Sequence, residues 1–435
     1  MKTKQGLTVL MILILSLLLT SCSGIPFLST PTGEVPSPEF TQTPTSAPAV
    51  PTDSPSPTQQ AVMTLILWVP PEFDPDAETA AGAVFHERLE TFREEHARLE
   101  IDARVKALEG PGSMLETLQT AGAAAPRVLP DLVLLPRDLM ETAAAEGLIL
   151  PLEESEVFLT EEEVYPYAFS LSQIGGIPYG VPAAGDVLAL AYKSDVTEGP
   201  LADWEAVLET EKALAFPAAD PRALVTLALY ESDGGELARV EDAYALDRVP
   251  MLNVLNFYTQ AQDASVMPYW LSQFETDQQA WEAYRERQAT LALTWTSTYL
   301  QNGSLNTSLA PFPTRDGVPY TYGQGWTWAL TRSDTERRQA ALSLLENLSS
   351  PEFLGEWNAA AGYVPIRPDE LPAWEGDIAQ NYLKTVLPSA HLIPSRQVLN
   401  DLGPFVREAV LSVIKDQMTP DTVIEVLQLK LRDGS

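Results

Sequence analysis

The sequence predicts an α/β fold in two lobes, preceded by a long non-globular segment. Three observations predict it. Beyond residue 61, apolar runs of strand character alternate with amphipathic helical stretches, which is how layered α/β structure is written in sequence. That part is about 375 residues long, more than one hydrophobic core usually serves. No internal repeat is evident, so a solenoid or a propeller is disfavoured.

The elements follow in order. Met63-Thr64-Leu65-Ile66-Leu67-Trp68-Val69 is apolar and β-rich, a buried first strand ended by Pro70-Pro71. Residues 83–99 place Val84, Phe85, Leu89 and Phe92 at helical spacing among charges, and residues 99–105 then alternate like a half-buried strand. The pattern recurs as a helix over 113–124, a buried strand over 131–135 and a short helix over 138–146 closed by Gly147. Residues 175–182 read as a turn and extended segment, followed by a strand over 187–192. The second half repeats this grammar with a strand over 291–295, an extended segment over 320–330, a helix over 336–348 and a final helix pair from about residue 402.

The N-terminus carries an export pattern. Lys2 and Lys4 precede an apolar run over residues 7–19, too short to span a bilayer comfortably but of the right length for a signal-peptide core. Leu19-Thr20-Ser21-Cys22 follows and resembles the bacterial lipobox, which implies cleavage after residue 21 and lipid on Cys22. Cys22 is the single cysteine of the chain, so no intramolecular disulfide can form. The lipobox resemblance implies a protein anchored at the outer face of the cytoplasmic membrane. Residues 22–61 are rich in Pro, Thr and Ser, with almost nothing to bury, and read as a tether. The net charge of −33 argues against nucleic acid or anionic lipid as partners.

Several landmarks in one order resemble the extracellular solute-binding proteins of ABC importers, in particular the carbohydrate-binding group that includes maltose-binding protein. LILWVPPEF with FHERLETFREEHARLEIDARV is similar to the family's first strand, helix and second strand. PDLVLLPRDLMETAAAEGLILPLEE resembles its third strand and helix, and GGIPYGVPAAGDVLALAYKSD its first crossover between lobes. ATLALTWTSTYL resembles the second-lobe strand that ends at the ligand, and the stretch from APFPTRDGVPY to AAGYVPIR the return to the first lobe. The resemblance covers essentially all of residues 62–435. It implies a two-lobed periplasmic-binding-protein-like fold of type II, with lobe 1 at 62–184 plus 326–362 and lobe 2 at 187–324 plus 364–435. It also implies a monomer that captures a small solute, a mono- or oligosaccharide, by hinge closure near 184–186, 323–325 and 362–365, and delivers it to permease subunits.

Sugars have apolar ring faces edged by hydroxyls, so a receptor needs aromatic platforms and polar partners. Aromatics at the ends of the elements that should face the cleft are Trp68, Trp295, Tyr299, Trp326, Trp328 and Tyr363, whereas Trp204, Trp281 and Trp357 lie on helical stretches and are expected in cores. The resemblance places sugar-binding acids at Glu72, Asp138 and Asp186. Among these Asp186 stands out, an acid among small and apolar residues that needs a partner. Arg137 and Arg222 are weaker candidates, with a surface role expected. Leu135 and Gly403 stand where the family has aromatics, so the ligand need not be the same.

No catalytic, metal or cofactor site is expected. His86, His96 and His391 form no HExxH, and no GxxxxGK[ST] or GxSxG is present. Two alternatives remain open: an exported carbohydrate-active enzyme, which would need two carboxylates about 5 to 10 Å apart, and a surface sensor or scaffold lipoprotein using the same fold.

Overall fold

The computed structural model describes residues 62–433 apart from 125–127, 196–200, 241–242, 304–305, 333 and 375–376. Cys22, the apolar run before it and the Pro-rich stretch lie outside the described residues.

Strand β1 (Met63–Val69) pairs in parallel with β2 (Leu99–Val105) and β3 (Leu132–Pro136). Helices α1 (Ala80–Glu95) and α2 (Met114–Ala124) make the crossovers that parallel pairing requires. Helix α1 begins where the Thr79 hydroxyl accepts from the Gly82 N–H. It stops short of the expected residue 99 because His96 turns back, its ring stacked on Phe92 at 4.0 Å. Helix α3 (Arg137–Ala145) leaves β3 directly, and Gly147 at φ 68° follows its end, as the sequence indicated. Helix α4 (Pro166–Leu171) and the small hairpin of β4 (Gln173–Ile174) and β5 (Ile177–Pro178) come next.

β6 (Gly180–Lys193) then runs unbroken for 14 residues, where the sequence suggested an extended segment and a separate strand. Its first half belongs to one part of the molecule and its second half to the other. In the second part stand helix α5 (Trp204–Glu209), β7 (Leu214–Ala215), α6 (Leu224–Ser232), the hairpin of β8 (Ala238–Val240) and β9 (Ala243–Ala245), and α7 (Arg248–Asp263). They are followed by α8 (Asp277–Arg285), β10 (Leu291–Trp295), α9 (Thr296–Asn302) and β11 (Thr307–Pro311). β12 (Thr321–Leu330) carries the chain back beside β3 and β6, antiparallel to both. Helices α10 (Thr335–Asn347), α11 (Pro351–Ala361) and α12 (Asp377–Val386) and the short β13 (Ala390–Leu392) precede the last pair, α13 (Arg396–Ile414) and α14 (Pro420–Asp433). Helix α13 starts about six residues earlier than the sequence suggested, at the cap formed by Ser395.

The strand order β2-β1-β3-β12-β6-β10-β7 forms one continuous sheet, with β11 added on β6 and β13 on β12. Two large cores nevertheless form, because different helices cover the two ends of that sheet. The first gathers β1, β3, α1, α10 and α11 around Leu65, Leu134, Phe92 and Trp357. The second gathers α6, α7, α13 and α14 around Phe216, Tyr258, Leu402 and Ile424. The family resemblance puts residues 364–435 in the second lobe. Val364, Ile366, Leu371, Leu383 and Leu387 instead pack in the first core, because α12 folds back there before β13 returns the chain to β12.

Candidate functional site

Three chain segments cross side by side between the two cores. Gln324 is paired with Asp186 and Gly325 with Gly185 across β12 and β6. The Gly185 N–H donates to the Val364 carbonyl at 3.1 Å, and the Val364 N–H donates back to the Gly185 carbonyl at 2.9 Å. The fully buried Tyr167 lies against all three, its hydroxyl donating to the Pro365 carbonyl at 2.9 Å. Glycine is required by close approach here: a Cβ on Gly185 would sit 1.8 Å from the Tyr167 Oη, and one on Gly323 2.8 Å from its Cδ2.

At this crossing opens a cleft of about 570 Å³. One wall comes from the start of α3, with Arg137, Asp138 and Glu141. The opposite wall comes from Arg222 before α6, from Trp295, Ser297 and Thr298 at the β10–α9 junction, and from residues 393–400 at the start of α13. Asp186, Gln324, Gly325, Trp326 and Tyr363 form the crossing floor.

β6 changes partners at Asp186. Val187 is the last residue of β6 paired with β12, and Leu188 the first paired with β10. The side chain of Asp186 occupies the fork, only 5 % exposed. Its carboxylate accepts from the Val187 N–H at 3.0 Å, the Ser297 N–H at 3.0 Å and the Ser297 hydroxyl at 2.5 Å. The partner that the sequence demanded for this acid is therefore Ser297, and the carboxylate holds the start of α9 in place. Burial pushes its pKa up to about 7, against the pull of the Ser297 and Val187 donors.

Glu141 bridges the cleft. One carboxylate oxygen accepts from the Arg137 Nε at 2.8 Å and the other from the Arg396 N–H at 3.0 Å, which links α3 to the start of α13. Arg137 also donates to the carbonyls of Ser170, Leu171 and Gln173, so it is engaged in structure. Asp138 is exposed on the wall.

Of the expected aromatics, Trp295, Trp326 and Tyr363 reach the cleft. The Trp295 Nε1 donates to Asp277 at 3.3 Å. Trp326 is half-buried and meets the ring of Phe73 edge-on at 5.0 Å. Phe73 itself stacks on Trp357 at 4.5 Å and on Tyr363 at 5.8 Å, so an aromatic cluster supports the Trp326 indole from behind.

Other expectations are corrected. Trp68 is 2 % exposed in a satellite core with Met114, Leu118 and Met140, because α2 and α3 close over that face of β1. Trp328 is 3 % exposed in the first core beside Phe85. Glu72 is exposed on the 3-10 turn Pro71–Phe73, outside the lining of the cleft, with its charge acting on the Tyr363 hydroxyl. Tyr299 turns back to the Thr307 carbonyl instead of the cleft. Trp204, Trp281 and Trp357 are buried, as their helical setting suggested. Arg137 and Arg222, weaker candidates in sequence, do line the cleft.

Sequence reasoning missed Glu141, Ser297, Thr298, Gln324, Arg396 and Asn400. Ser297 could have been found from its place two residues beyond the Trp295 strand end. Arg396 and Asn400 gave no such signal, since they reach the cleft only through the docking of α13. Gly403 explains that docking: a Cβ there would lie 2.3 Å from the Pro221 carbonyl oxygen and 2.6 Å from the Arg222 Cα, so the missing aromatic is replaced by close helix packing.

The fold has close counterparts among solved structures. The sugar-binding protein MalE from Xanthomonas citri superposes with a TM-score of 0.70 over 86% of this chain and 97% of its own, at 18% identity. The cyclic alpha-maltosyl-1,6-maltose binding protein from Arthrobacter globiformis gives 0.68 over 86% and 98%, at 14% identity. A Thermotoga lettingae ABC transporter solute binding protein, bound with alpha-D-tagatose, gives 0.61 over 85% and 99%, at 18% identity. These likenesses establish the two-lobed fold. No relative is found among curated proteins. A family model described as bacterial extracellular solute-binding protein matches residues 87–382, more than half of the chain. The chain belongs to the bacterial extracellular solute-binding proteins.

Proposed function

We propose that this solute-binding protein captures a carbohydrate in the cleft at the β6–β12 crossing and passes it to the permease of an ABC importer. The observation that carries the reading is the cleft's composition. Its half-buried indole, Trp326, lies beside uncommitted polar side chains from both cores, which suits a ring with an apolar face and a hydroxyl edge. Sugar-binding neighbours of the same fold support it. Trp326, Trp295, Tyr363 and Asp138 are the proposed ligand contacts, with Asp186 positioning Ser297 beside them. We place lobe 1 at 62–184 plus 326–390 and lobe 2 at 187–324 plus 391–433, hinged where Gly185, Gly323 and Val364 cross. In this reading Cys22 carries lipid and residues 22–61 form the tether that keeps the receptor beside its permease.

A thermal-shift screen of neutral and acidic mono- and oligosaccharides, polyols and peptides tests the ligand class. A stabilising saccharide that also compacts the protein in solution scattering is the expected result. Stabilisation by peptides or polyols alone would overturn the carbohydrate reading.

A further inference from the structure

The chain has 27 basic residues against 60 acidic ones, yet the cleft wall carries three arginines and three acids. The acids are mostly engaged. Asp186 already accepts three hydrogen bonds, and Glu141 is divided between Arg137 and the Arg396 N–H, which leaves Asp138.

The arginines differ. Arg137 is engaged by Glu141 and three carbonyls, but Arg222 and Arg396 are exposed on the cleft wall. Among the described residues Arg222 comes no closer to a carboxylate than 3.5 Å, from Asp220, which itself accepts the backbone N–H groups of Arg222 and Leu224. The half-buried Asp277 is a further acid near Arg222. The Arg396 guanidinium makes one contact among the described residues, to the Thr142 hydroxyl at 3.5 Å. Both arginines stand on the same wall, because Gly403 lets α13 lie directly on the backbone of Pro221 and Arg222. Arg396 begins that helix seven residues earlier, about 10 Å along its axis, a gap that two extended arginine side chains can close. A guanidinium only donates hydrogen bonds, and its planar fork matches a carboxylate in a bidentate way.

We propose that the cleft takes an acidic saccharide, a uronate whose carboxylate is held by Arg222 and Arg396 while its ring lies on Trp326. The inference rests on the cleft being the solute site. It adds that the site reads a negative charge through guanidinium donors that a neutral sugar would engage less strongly. An anion approaching so acidic a chain is repelled at long range, and the donors of these two arginines supply short-range attraction within the cleft.

The test is titration calorimetry on the mature chain with di- and trisaccharides of galacturonate, glucuronate and mannuronate. Each is measured beside its methyl ester and its neutral parent sugar. At least one acid should bind about tenfold or more tightly than its ester and weaken as salt is raised. Arg222→Gln and Arg396→Gln should each lower that affinity about tenfold, and the lysine variants should recover part of it. Esters or neutral sugars binding as well as the acids would overturn the inference and leave the carbohydrate reading standing. Preference for the acid that survives both glutamine variants would also overturn it. If none of these saccharides binds, the inference falls, and the carbohydrate reading is decided by the wider thermal-shift screen.

Discussion

Trp326 and Trp328 stand two apart on β12, so the pleat turns both toward the first core. They differ in depth along the strand. Trp328 is enclosed, whereas Trp326 sits beside the crossing, where a register shift between Trp326 and Thr327 loosens the pairing with β6. Trp326→Ala should therefore weaken saccharide binding about tenfold in calorimetry and change the urea midpoint little. Trp328→Ala should lower stability by about 3–5 kcal/mol while the folded fraction keeps its affinity. The reverse pattern would show that the two indoles have been assigned to the wrong roles. Asp186 offers a second test. Its pKa is raised in the folded state, so the folded chain holds a proton that the unfolded chain has released above about pH 4. Its contribution is thus fully present below that pH and is lost as the pH rises through about 7. Thermal midpoints of the natural protein should fall relative to those of Asp186→Asn between pH 4.5 and 8, and parallel curves would contradict the assignment.

The crossing depends on how β6, β12, α4 and residues 362–365 share one small volume. Gly185 and Gly323 leave room for the Tyr167 ring, and the Tyr167 hydroxyl fixes the third segment through the Pro365 carbonyl. Gly185→Ala should lower stability by about 1–3 kcal/mol through overpacking. Tyr167→Phe alone should cost about 1 kcal/mol for the lost hydrogen bond. Combined, the two should cost less than their sum, because the phenylalanine removes the atom nearest the new methyl group. A double-mutant cycle in urea measures this coupling, and strict additivity would show that the contact is not the limiting one.

For the molecule as a unit, the cleft, its wall charges and the two cores all depend on one sheet that passes through both parts. Among the described residues no helix is long and apolar enough to cross a membrane. The proposed lipid anchor is tested at Cys22. Cys22→Ser should release the protein from the membrane fraction while saccharide affinity measured by calorimetry stays unchanged. Retention of the variant in membranes would remove the lipid anchor from the mechanism.

Periodicity made most of the scaffold readable. Strands at Met63–Val69 and Leu291–Trp295 are largely buried and so appear as mostly apolar runs, and the helix ended by Gly147 carries its own stop signal. Gly185 and Gly323 to Gly325 could be picked out as crossing points, and Asp186 as an acid in need of a partner. Short-range pattern cannot report depth or long-range docking. Trp68 and Trp328 resemble Trp326 in sequence, and only the covering helices decide which indole reaches the cleft. Ser297 lies 111 residues from Asp186, and Arg396 lies 255 from Glu141; nothing local to either residue encodes those meetings. The amino-acid order was enough to specify the elements and the segments where they cross. The packing of α13 on Arg222, of α12 on the first core and of β10 against β6 decided which side chains face the solute, because hydrogen-bond partners and exposure are properties of the assembled fold.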